Sequence, residues 1–345
     1  MISHSCPDLG RQEEIAVLDV LRSLHIKSGE VCKRLERRIA HSQGFKYGLS
    51  TATGGHAIEL ALRLIFDKGG RVGIPSYLCR SVYDAVVRAN CTPVLLDIEP
   101  RHFGPAIESV RQQDMDVVII AHLFGVHVPL EPYLKTGVPI IEDCAQLVTP
   151  STSEGQCRGV MRMLSFEATK LLTCGEGGML LLDDEIMYNK GLQIRDGLYD
   201  TEQTALWSPL TDIQAAIVGV QWDRLDEFLH RRKTIGLSFL RAIGASFRGS
   251  IHPSMYFDDT LFFRFILTVN DVLRFIQMGD AAGVTFRKPI APKSLERLFK
   301  NSDNFYQTEK IMKSAVSIPI YPALKNGDVE KVIEATLQAL KVIQQ

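Results

Sequence analysis

The sequence lacks the features that mark several large classes of protein. Its 345 residues contain no run approaching the roughly 20 apolar residues that span a bilayer. The start has neither a basic nor an apolar leader region, so a cytoplasmic protein with no membrane partner is expected. Lysine plus arginine (39) nearly balance aspartate plus glutamate (40), and this absence of a basic surplus argues against a nucleic-acid partner.

Paired cysteines and nucleotide-binding loops are absent as well. The seven cysteines are an odd number without CxxC spacing, so we expect neither a disulfide framework nor a zinc site, and no metal. The chain has no P-loop and no GxGxxG turn. What remains is an ordinary globular composition, 46% hydrophobic and 23% charged, which suits an enzyme that binds small molecules. Most of the cysteines are expected to be reduced packing residues. The seven are Cys6, Cys32, Cys79, Cys91, Cys144, Cys157 and Cys174.

Apolar periodicity predicts an α/β fold. Helical spacing marks residues 11–24 and 31–40, and from residue 46 short apolar strands alternate with helical stretches. The runs at 117–120 and 138–141 are apolar throughout, as in strands that are buried on both faces. The pattern therefore predicts a large domain with a mainly parallel sheet flanked by helices.

A second domain is predicted after a long helix at residues 212–230, where the mixture of elements changes. Residues 1–230 would form the N-terminal helices and the large domain. Residues 231–345 would form a smaller C-terminal α+β domain.

Lys170 is the first candidate catalytic residue. It lies between a predicted strand that ends at Ser165 and a glycine-rich turn at 175–178. A lysine in such a position can act as a nucleophile toward an aldehyde if burial or a nearby cation lowers its pKa. On lysine statistics alone, a solvated surface lysine is the commoner case.

Asp143 is the second candidate, because it ends the apolar strand VPIIED, and ligands bind at strand ends in parallel α/β sheets. A carboxylate there can keep a pyridine nitrogen of pyridoxal phosphate (PLP) protonated. Gln146 could bond to the phenolic oxygen. A helix cap is an equally good reading of Asp143 by itself.

The third element is the turn 51–56, whose glycines join a predicted strand to a helix. Backbone amides at such a helix start bind phosphate well.

Together and in this order, the segments STATGGH, IIEDCAQ and SFEATKLLTCGEGG resemble the DegT/StrS-type family of PLP-dependent nucleotide-sugar aminotransferases, which have aminotransferase fold type I. The resemblance extends over nearly the whole chain. It implies that Lys170 carries PLP as a Schiff base, that Asp143 pairs with the pyridinium and that Gln146 contacts the ring oxygen. It implies that the phosphate is held by Ser165, Gly54, Gly55 and His56.

The same resemblance shows where this chain departs from the family. Cys79 stands where an aromatic ring usually stacks on the cofactor. Trp207 or Ser208 stands where an asparagine usually reaches the phosphate in the partner subunit, and Pro209 replaces a common arginine. The segment 195–197 lacks the histidine of the usual RxHG pattern.

The function implied is transfer of an amino group, with glutamate as donor, to a nucleotide-linked keto-sugar in polysaccharide or antibiotic sugar biosynthesis, by a homodimer. The departures motivate an alternative, a divergent protein of the same fold with a binding or regulatory role and no transamination. Trp207 is read either as an interface residue or as core packing.

Overall fold

The alternating apolar runs of the first half form a seven-stranded sheet. The computed structural model describes residues 1–150, 158–197, 204–290 and 305–343. The sheet order is β1-β7-β6-β5-β4-β2-β3, and only β7 runs antiparallel to its neighbours. The strands are β1 (Tyr47–Thr51), β2 (Arg71–Pro75), β3 (Thr92–Leu96), β4 (Val117–Ala121), β5 (Ile140–Asp143), β6 (Met161–Ser165) and β7 (Gly178–Leu182).

Helices cover this sheet, so the predicted fold class is confirmed. Every residue of β4 is buried, as the continuous apolar run predicts for a strand covered on both faces. The helices are α1 (Arg11–Ser23), α2 (Glu30–Ser42), α3 (Gly54–Ile65), α4 (Arg80–Arg88), α5 (Ile107–Gln112), α6 (Glu131–Leu134), α7 (Glu185–Asp196), α8 (Asp212–Asp223), α9 (Leu225–Phe247), α10 (Val272–Ala281), α11 (Tyr306–Ser314) and α12 (Asn326–Ile343).

A second, antiparallel sheet lies in the C-terminal third and contains β8 (Phe265–Thr268) and β9 (Ala315–Ile318). One continuous buried cluster joins the two sheets, with Ile119 of β4 and Phe265 of β8 both fully buried in it. The N-terminal segment also reaches this part of the chain, since Ile2 forms a β-bridge with Val284.

The expectation of one helix over residues 212–230 is wrong. The chain leaves helical geometry at Arg224 (φ −95°, ψ 2°), so α8 ends at Asp223 and α9 begins at Leu225. Arg224 forms ion pairs with Asp8 and Glu13, which hold the break in place. The predicted domain boundary at 230/231 lies inside α9, and the division into two domains stays a prediction.

Asp212 connects α8 to the N-terminal helices. Its carboxylate accepts hydrogen bonds from the backbone amides of Gly29 (2.8 Å) and Cys32 (3.0 Å) at the start of α2. It therefore caps a helix that lies far away in the sequence. None of the helices in the described ranges combines the length and apolarity needed to cross a membrane.

Candidate functional site

Three predicted site segments meet at one edge of the seven-stranded sheet. Strands β1, β5 and β6 run in the same direction, so Thr51, Asp143 and Ser165 end at this edge. Thr51 and Ser165 both pair with Gly178 at the start of β7. The sheet topology thus brings together residues that lie more than a hundred positions apart.

The glycine turn after β1 forms a cup of backbone amides. Thr53 caps α3, and its Oγ1 accepts a hydrogen bond from the His56 amide at 3.1 Å. The amides of Gly54 and Gly55 belong to the first turn of the helix, and they donate no hydrogen bond to any residue of the described ranges. Free amides at a helix start favour an anion such as phosphate. Sequence reasoning missed Thr53, although threonine is a common N-cap residue.

Two glycines at this cup, Gly54 and Gly178, have little room for a side chain. A Cβ atom on Gly54 would lie 3.0 Å from Cβ and 3.2 Å from Oγ of Ser165. A Cβ atom on Gly178 would lie 2.6 Å from the amide nitrogen of Gly54. Close approach to backbone therefore requires glycine at position 178, whereas a side chain at position 54 would require Ser165 to shift.

His56 differs from Gly54 and Gly55, because its amide already donates a hydrogen bond to Thr53 Oγ1. Its ring is half-buried, and its Nδ1 has no hydrogen-bond partner in the described part of the chain. Burial lowers the pKa of His56, so the ring is neutral at pH 7. Sequence reasoning missed Arg88, which pairs with Glu59. A Cβ atom built on Gly55 would lie 3.5 Å from Nη2 of Arg88, so this guanidinium is near the turn.

Asp143 is a buried carboxylate at the end of β5. Oδ1 accepts a hydrogen bond from the Ala145 amide at 2.9 Å, and no donor from the described ranges reaches Oδ2. Burial raises the pKa of Asp143, while the Ala145 amide and the nearby charge of Lys170 oppose the rise. The capping hydrogen bond and the electrostatic contact with Lys170 are thus both present.

Glu142 precedes Asp143 and anchors it from the opposite face of the strand. Arg162 donates to both carboxylate oxygens of Glu142 at 3.1 Å, the Gly159 amide donates at 2.9 Å, and His122 Nε2 lies at 3.3 Å. Burial alone would raise the pKa of Glu142, but His122 and Arg162 lower it to about 2. Sequence reasoning missed this network.

Glu142, His122 and Cys144 bring their ligand atoms within 4.8 Å of one another, yet they do not form a good metal site. The carboxylate is already saturated by the Arg162 guanidinium, whose positive charge would repel a cation. Burial raises the pKa of the Cys144 thiol, which keeps it protonated and a poor ligand.

Gln146 uses its amide oxygen to fix a neighbouring loop. Oε1 accepts a hydrogen bond from the Phe124 amide at 2.7 Å, where Phe124 has a positive φ of 63°. Among the described residues no acceptor bonds to the Nε2 group, so this donor is unused.

Lys170 lies in the hydrogen-bonded turn between β6 and β7. Its amide donates to the Glu167 carbonyl at 2.9 Å, and the Phe166 amide donates to the Gly177 carbonyl at 2.8 Å, which closes the turn. The Nζ atom lies 5.8 Å from the centre of the buried Phe263 ring. Lys170 is half-buried, and its amine lies over the face of this apolar ring.

Cys79 lies at the N-cap of α4, beyond the carboxyl end of β2. Its thiol is exposed and accepts a hydrogen bond from the Ser81 hydroxyl at 3.2 Å. The six cysteines of the described residues are free thiols, and Cys157 lies outside the described residues.

Residues 206–209 run beside the end of β1. The Ala52 amide donates to the Ser208 carbonyl at 2.7 Å, and Pro209 forms a bridge with Thr51. Ser208 is buried, whereas Trp207 is 68% exposed and has a positive φ of 49°. The core-packing interpretation of Trp207 is therefore wrong.

Comparison with known proteins decides the family. The model of the DegT/DnrJ/EryC1/StrS aminotransferase family matches residues 7–337. The chain belongs to this family. It is 26% identical to a pleiotropic regulatory protein of Geobacillus stearothermophilus, over 94% of this chain and 93% of that one. It is 25% identical to GDP-perosamine synthase of Caulobacter vibrioides, over 98% of both chains.

The fold agrees with this assignment. The PLP form of Spr1654 from Streptococcus pneumoniae superposes with a TM-score of 0.89 at 22% identity, over 99% of this chain and 98% of that one. The predicted family, the fold type I architecture and an enzyme with PLP as cofactor are confirmed. The residues present fit this group: a cup of free amides, a buried carboxylate with an open oxygen, and a lysine amine close to that carboxylate.

Proposed function

We propose that this aminotransferase moves an amino group from glutamate to a nucleotide-linked keto-sugar in the cytoplasm. The observation that carries the proposal is the arrangement at the carboxyl ends of two paired strands: the buried Asp143 ends β5, and Lys170 lies in the turn that follows β6. The similarity to GDP-perosamine synthase supports a nucleotide-sugar substrate.

Each predicted site residue has a proposed role. Lys170 is the covalent anchor, and its Nζ later moves a proton at the substrate carbon. Asp143 holds the proton on the pyridine nitrogen, and Gln146 donates Nε2 to the phenolic oxygen. Cys79 faces the pyridine ring of PLP in this proposal. The phosphate is bound by Ser165 and by the turn at Gly54, Gly55 and His56. When bound, PLP supplies an electron sink for the carbon that exchanges its amino group.

Borohydride reduction followed by peptide mass spectrometry tests the anchor. We expect the pyridoxyl group on Lys170, and Lys170→Ala should stay folded while losing the absorbance of the bound cofactor and all transamination. Lys190→Ala is the matched control, because Lys190 pairs with Asp67 on the surface. A pyridoxyl group on any other lysine would overturn the assignment.

A regulatory role without transamination is the second candidate. It is favoured by the similarity to a pleiotropic regulatory protein and by the unusual Cys79 and Trp207. Glutamate separates the two: an aminotransferase should convert its cofactor absorbance to that of the pyridoxamine form, and a binding protein should not. Mass spectrometry of products from nucleotide-linked keto-sugars would then identify the acceptor.

A further inference from the structure

The loop at residues 122–128 begins directly after β4 and contains an unfavourable backbone turn. Leu123–Gly125 form one turn of 3-10 helix, in which Phe124 (φ 63°) and Gly125 (φ 78°) both have left-handed backbone. This conformation is costly for a bulky residue such as phenylalanine. Contacts from outside the turn must therefore hold it.

His122 ties the two ends of this loop together. It is 1% exposed, and its amide donates to the carbonyl of Asp143 at 3.0 Å, which fixes the start of the loop against β5. Its Nδ1 accepts a hydrogen bond from the amide of Val128 at 3.0 Å, six residues further on. The side chain thus closes the loop in the way that a backbone carbonyl closes a turn.

The second ring nitrogen of His122 fixes the orientation of the imidazole. Since Nδ1 accepts from an N–H group, the ring hydrogen is assigned to Nε2, which lies 3.3 Å from Oε2 of Glu142. Arg162 holds that carboxylate through both of its oxygens. His122 therefore has two separate side-chain contacts, one to the loop and one to the Glu142 network.

The loop in turn holds Gln146. The Phe124 amide donates to Oε1 of Gln146 at 2.7 Å. Because Oε1 is used in this way, Nε2 is the end of the side-chain amide that stays available, and it has no acceptor in the described part of the chain. The orientation of Gln146 therefore depends on the left-handed backbone at Phe124.

Other contacts anchor the middle of the loop but not its ends. The Phe124 ring packs edge-on against Phe103, with the ring centres 4.9 Å apart, and the Gly125 carbonyl accepts from the Leu261 amide at 2.8 Å. Among the side-chain hydrogen bonds of the described residues, the bond between His122 and Val128 is the one that joins the two ends.

We propose that His122 is a positioning residue, which holds this loop so that Gln146 keeps Nε2 directed to the phenolic oxygen of PLP. That step rests on the proposed function, in which Gln146 donates to this oxygen. His122 acts through the amides of Val128 and Phe124, and not by contact with the cofactor. The contact with Glu142 is a separate, structural one.

Two substitutions separate the two side-chain contacts of His122. His122→Asn keeps an acceptor at the position of Nδ1 and loses the group that reaches Glu142, whereas His122→Gln keeps a group at the position of Nε2 and loses the acceptor for Val128. Loss of a hydrogen bond to a charged oxygen should raise the PLP dissociation constant about 10-fold in His122→Gln. His122→Asn should stay within about 3-fold of wild type. His230→Gln, at an exposed histidine of α9, is the control and should equal wild type.

A double-mutant cycle with Gln146→Leu tests whether His122 acts through Gln146. Gln146→Leu should also raise the dissociation constant about 10-fold. The double variant His122→Gln, Gln146→Leu should again show about 10-fold, whereas independent effects would multiply to about 100-fold. Equilibrium titration of each apoenzyme with PLP gives these constants.

The absorbance of the bound cofactor gives a readout that a loss of stability would not change. A donor to the phenolic oxygen competes with the proton that this oxygen shares with the Lys170 nitrogen. Loss of the donor should therefore raise the pH midpoint of the absorbance change, by the same amount in His122→Gln, in Gln146→Leu and in the double variant. The midpoint of His122→Asn should equal that of wild type.

The outcomes separate the role of His122 from the proposed function. Multiplied effects in the double variant, or a weakened His122→Asn beside a normal His122→Gln, would overturn the positioning role and leave the role of Gln146 standing. Wild-type PLP affinity and absorbance in Gln146→Leu would overturn both roles but not transamination. Coupling between the two residues in a protein that shows no half-reaction with glutamate would support the positioning role and overturn transamination from glutamate. If His122→Gln does not fold, an absorbance midpoint of His122→Asn that matches Gln146→Leu overturns the positioning role, and one that matches wild type supports it.

Discussion

Gly54, at the start of α3, lies close to Ser165, the last residue of β6. A Cβ atom on Gly54 would approach the Cβ of Ser165 to 3.0 Å, the Met163 sulfur to 3.2 Å and the Ser165 hydroxyl to 3.2 Å. A methyl group on Gly54 would therefore force the side chain of Ser165 or Met163 to shift.

Gly54→Ala should therefore weaken PLP binding. The methyl group would displace Ser165 and tilt the first turn of α3, and we expect a dissociation constant raised about 10-fold or more. Equilibrium titration of the apoenzyme with PLP measures this. Gly219→Ala is the control, because it makes the same change inside α8 where nothing lies within 4 Å. PLP affinity equal to wild type in Gly54→Ala would remove the turn from the phosphate site.

Asp143→Asn should lower turnover but should not lower the thermal stability of the apoenzyme. Burial raises the pKa of Asp143, so the folded chain holds this proton to higher pH than the unfolded chain, and its ionisation lowers stability as the pH rises. The neutral variant escapes that loss. We expect its apo Tm at pH 8 to equal or exceed that of wild type.

With PLP bound, wild type should have the higher Tm of the two proteins. The reason is that only the carboxylate of Asp143 forms a charged pair with the pyridinium. Turnover of Asp143→Asn should fall by at least about 100-fold. Thermal melting with and without PLP, together with steady-state rates, checks both halves. Near-normal turnover would show that Asp143 serves only as the cap of the Ala145 amide.

Sequence alone predicted the parts of this protein whose signals are local. The apolar run of β4 and the strand end at Asp143 can be read from a few residues, because burial on both faces removes polar side chains. The break at Arg224 could not be predicted, since it depends on Asp8 and Glu13 from the other end of the chain.

The residues of the candidate site likewise fall into those with a local sequence signal and those without one. Lys170 and the glycines have recognisable neighbours in sequence, and their positions agree with one site, although their roles stay predictions. Phe263 carries no local signal, because only the fold of the chain brings its ring to within 5.8 Å of Lys170 Nζ. The exposure of Trp207 likewise depends on where residues 206–209 join the sheet.

Glu142 should make the fold sensitive to acid. Its pKa of about 2 in the folded chain lies below the ordinary value of 4.5, so its contribution is complete above pH 4.5 and is lost as the pH falls toward 2. Glu142→Gln leaves Arg162 buried without a charged partner and should cost about 3–5 kcal/mol at pH 7.

Urea unfolding at pH 7, 5, 4 and 3 measures this, and the difference from wild type should shrink below pH 4.5. Glu309→Gln breaks an exposed ion pair with Lys313 and should not measurably change the free energy of unfolding. A difference independent of pH would mean that shape rather than charge sets the effect.

Trp207→Ala should dissociate the predicted homodimer. The indole is 68% exposed and its backbone is held at a positive φ of 49°, a costly arrangement for a bulky residue that a partner surface would stabilise. A two-fold dimer buries the same patch on both chains, so loss of this side chain acts twice and should raise the dimer dissociation constant at least about 30-fold. Leu273→Ala is the control, since Leu273 on α10 is equally exposed at 68%. Sedimentation equilibrium of wild type and both variants, with PLP occupancy measured in each, decides the matter: a wild-type monomer that binds PLP and turns over would exclude a site shared between subunits.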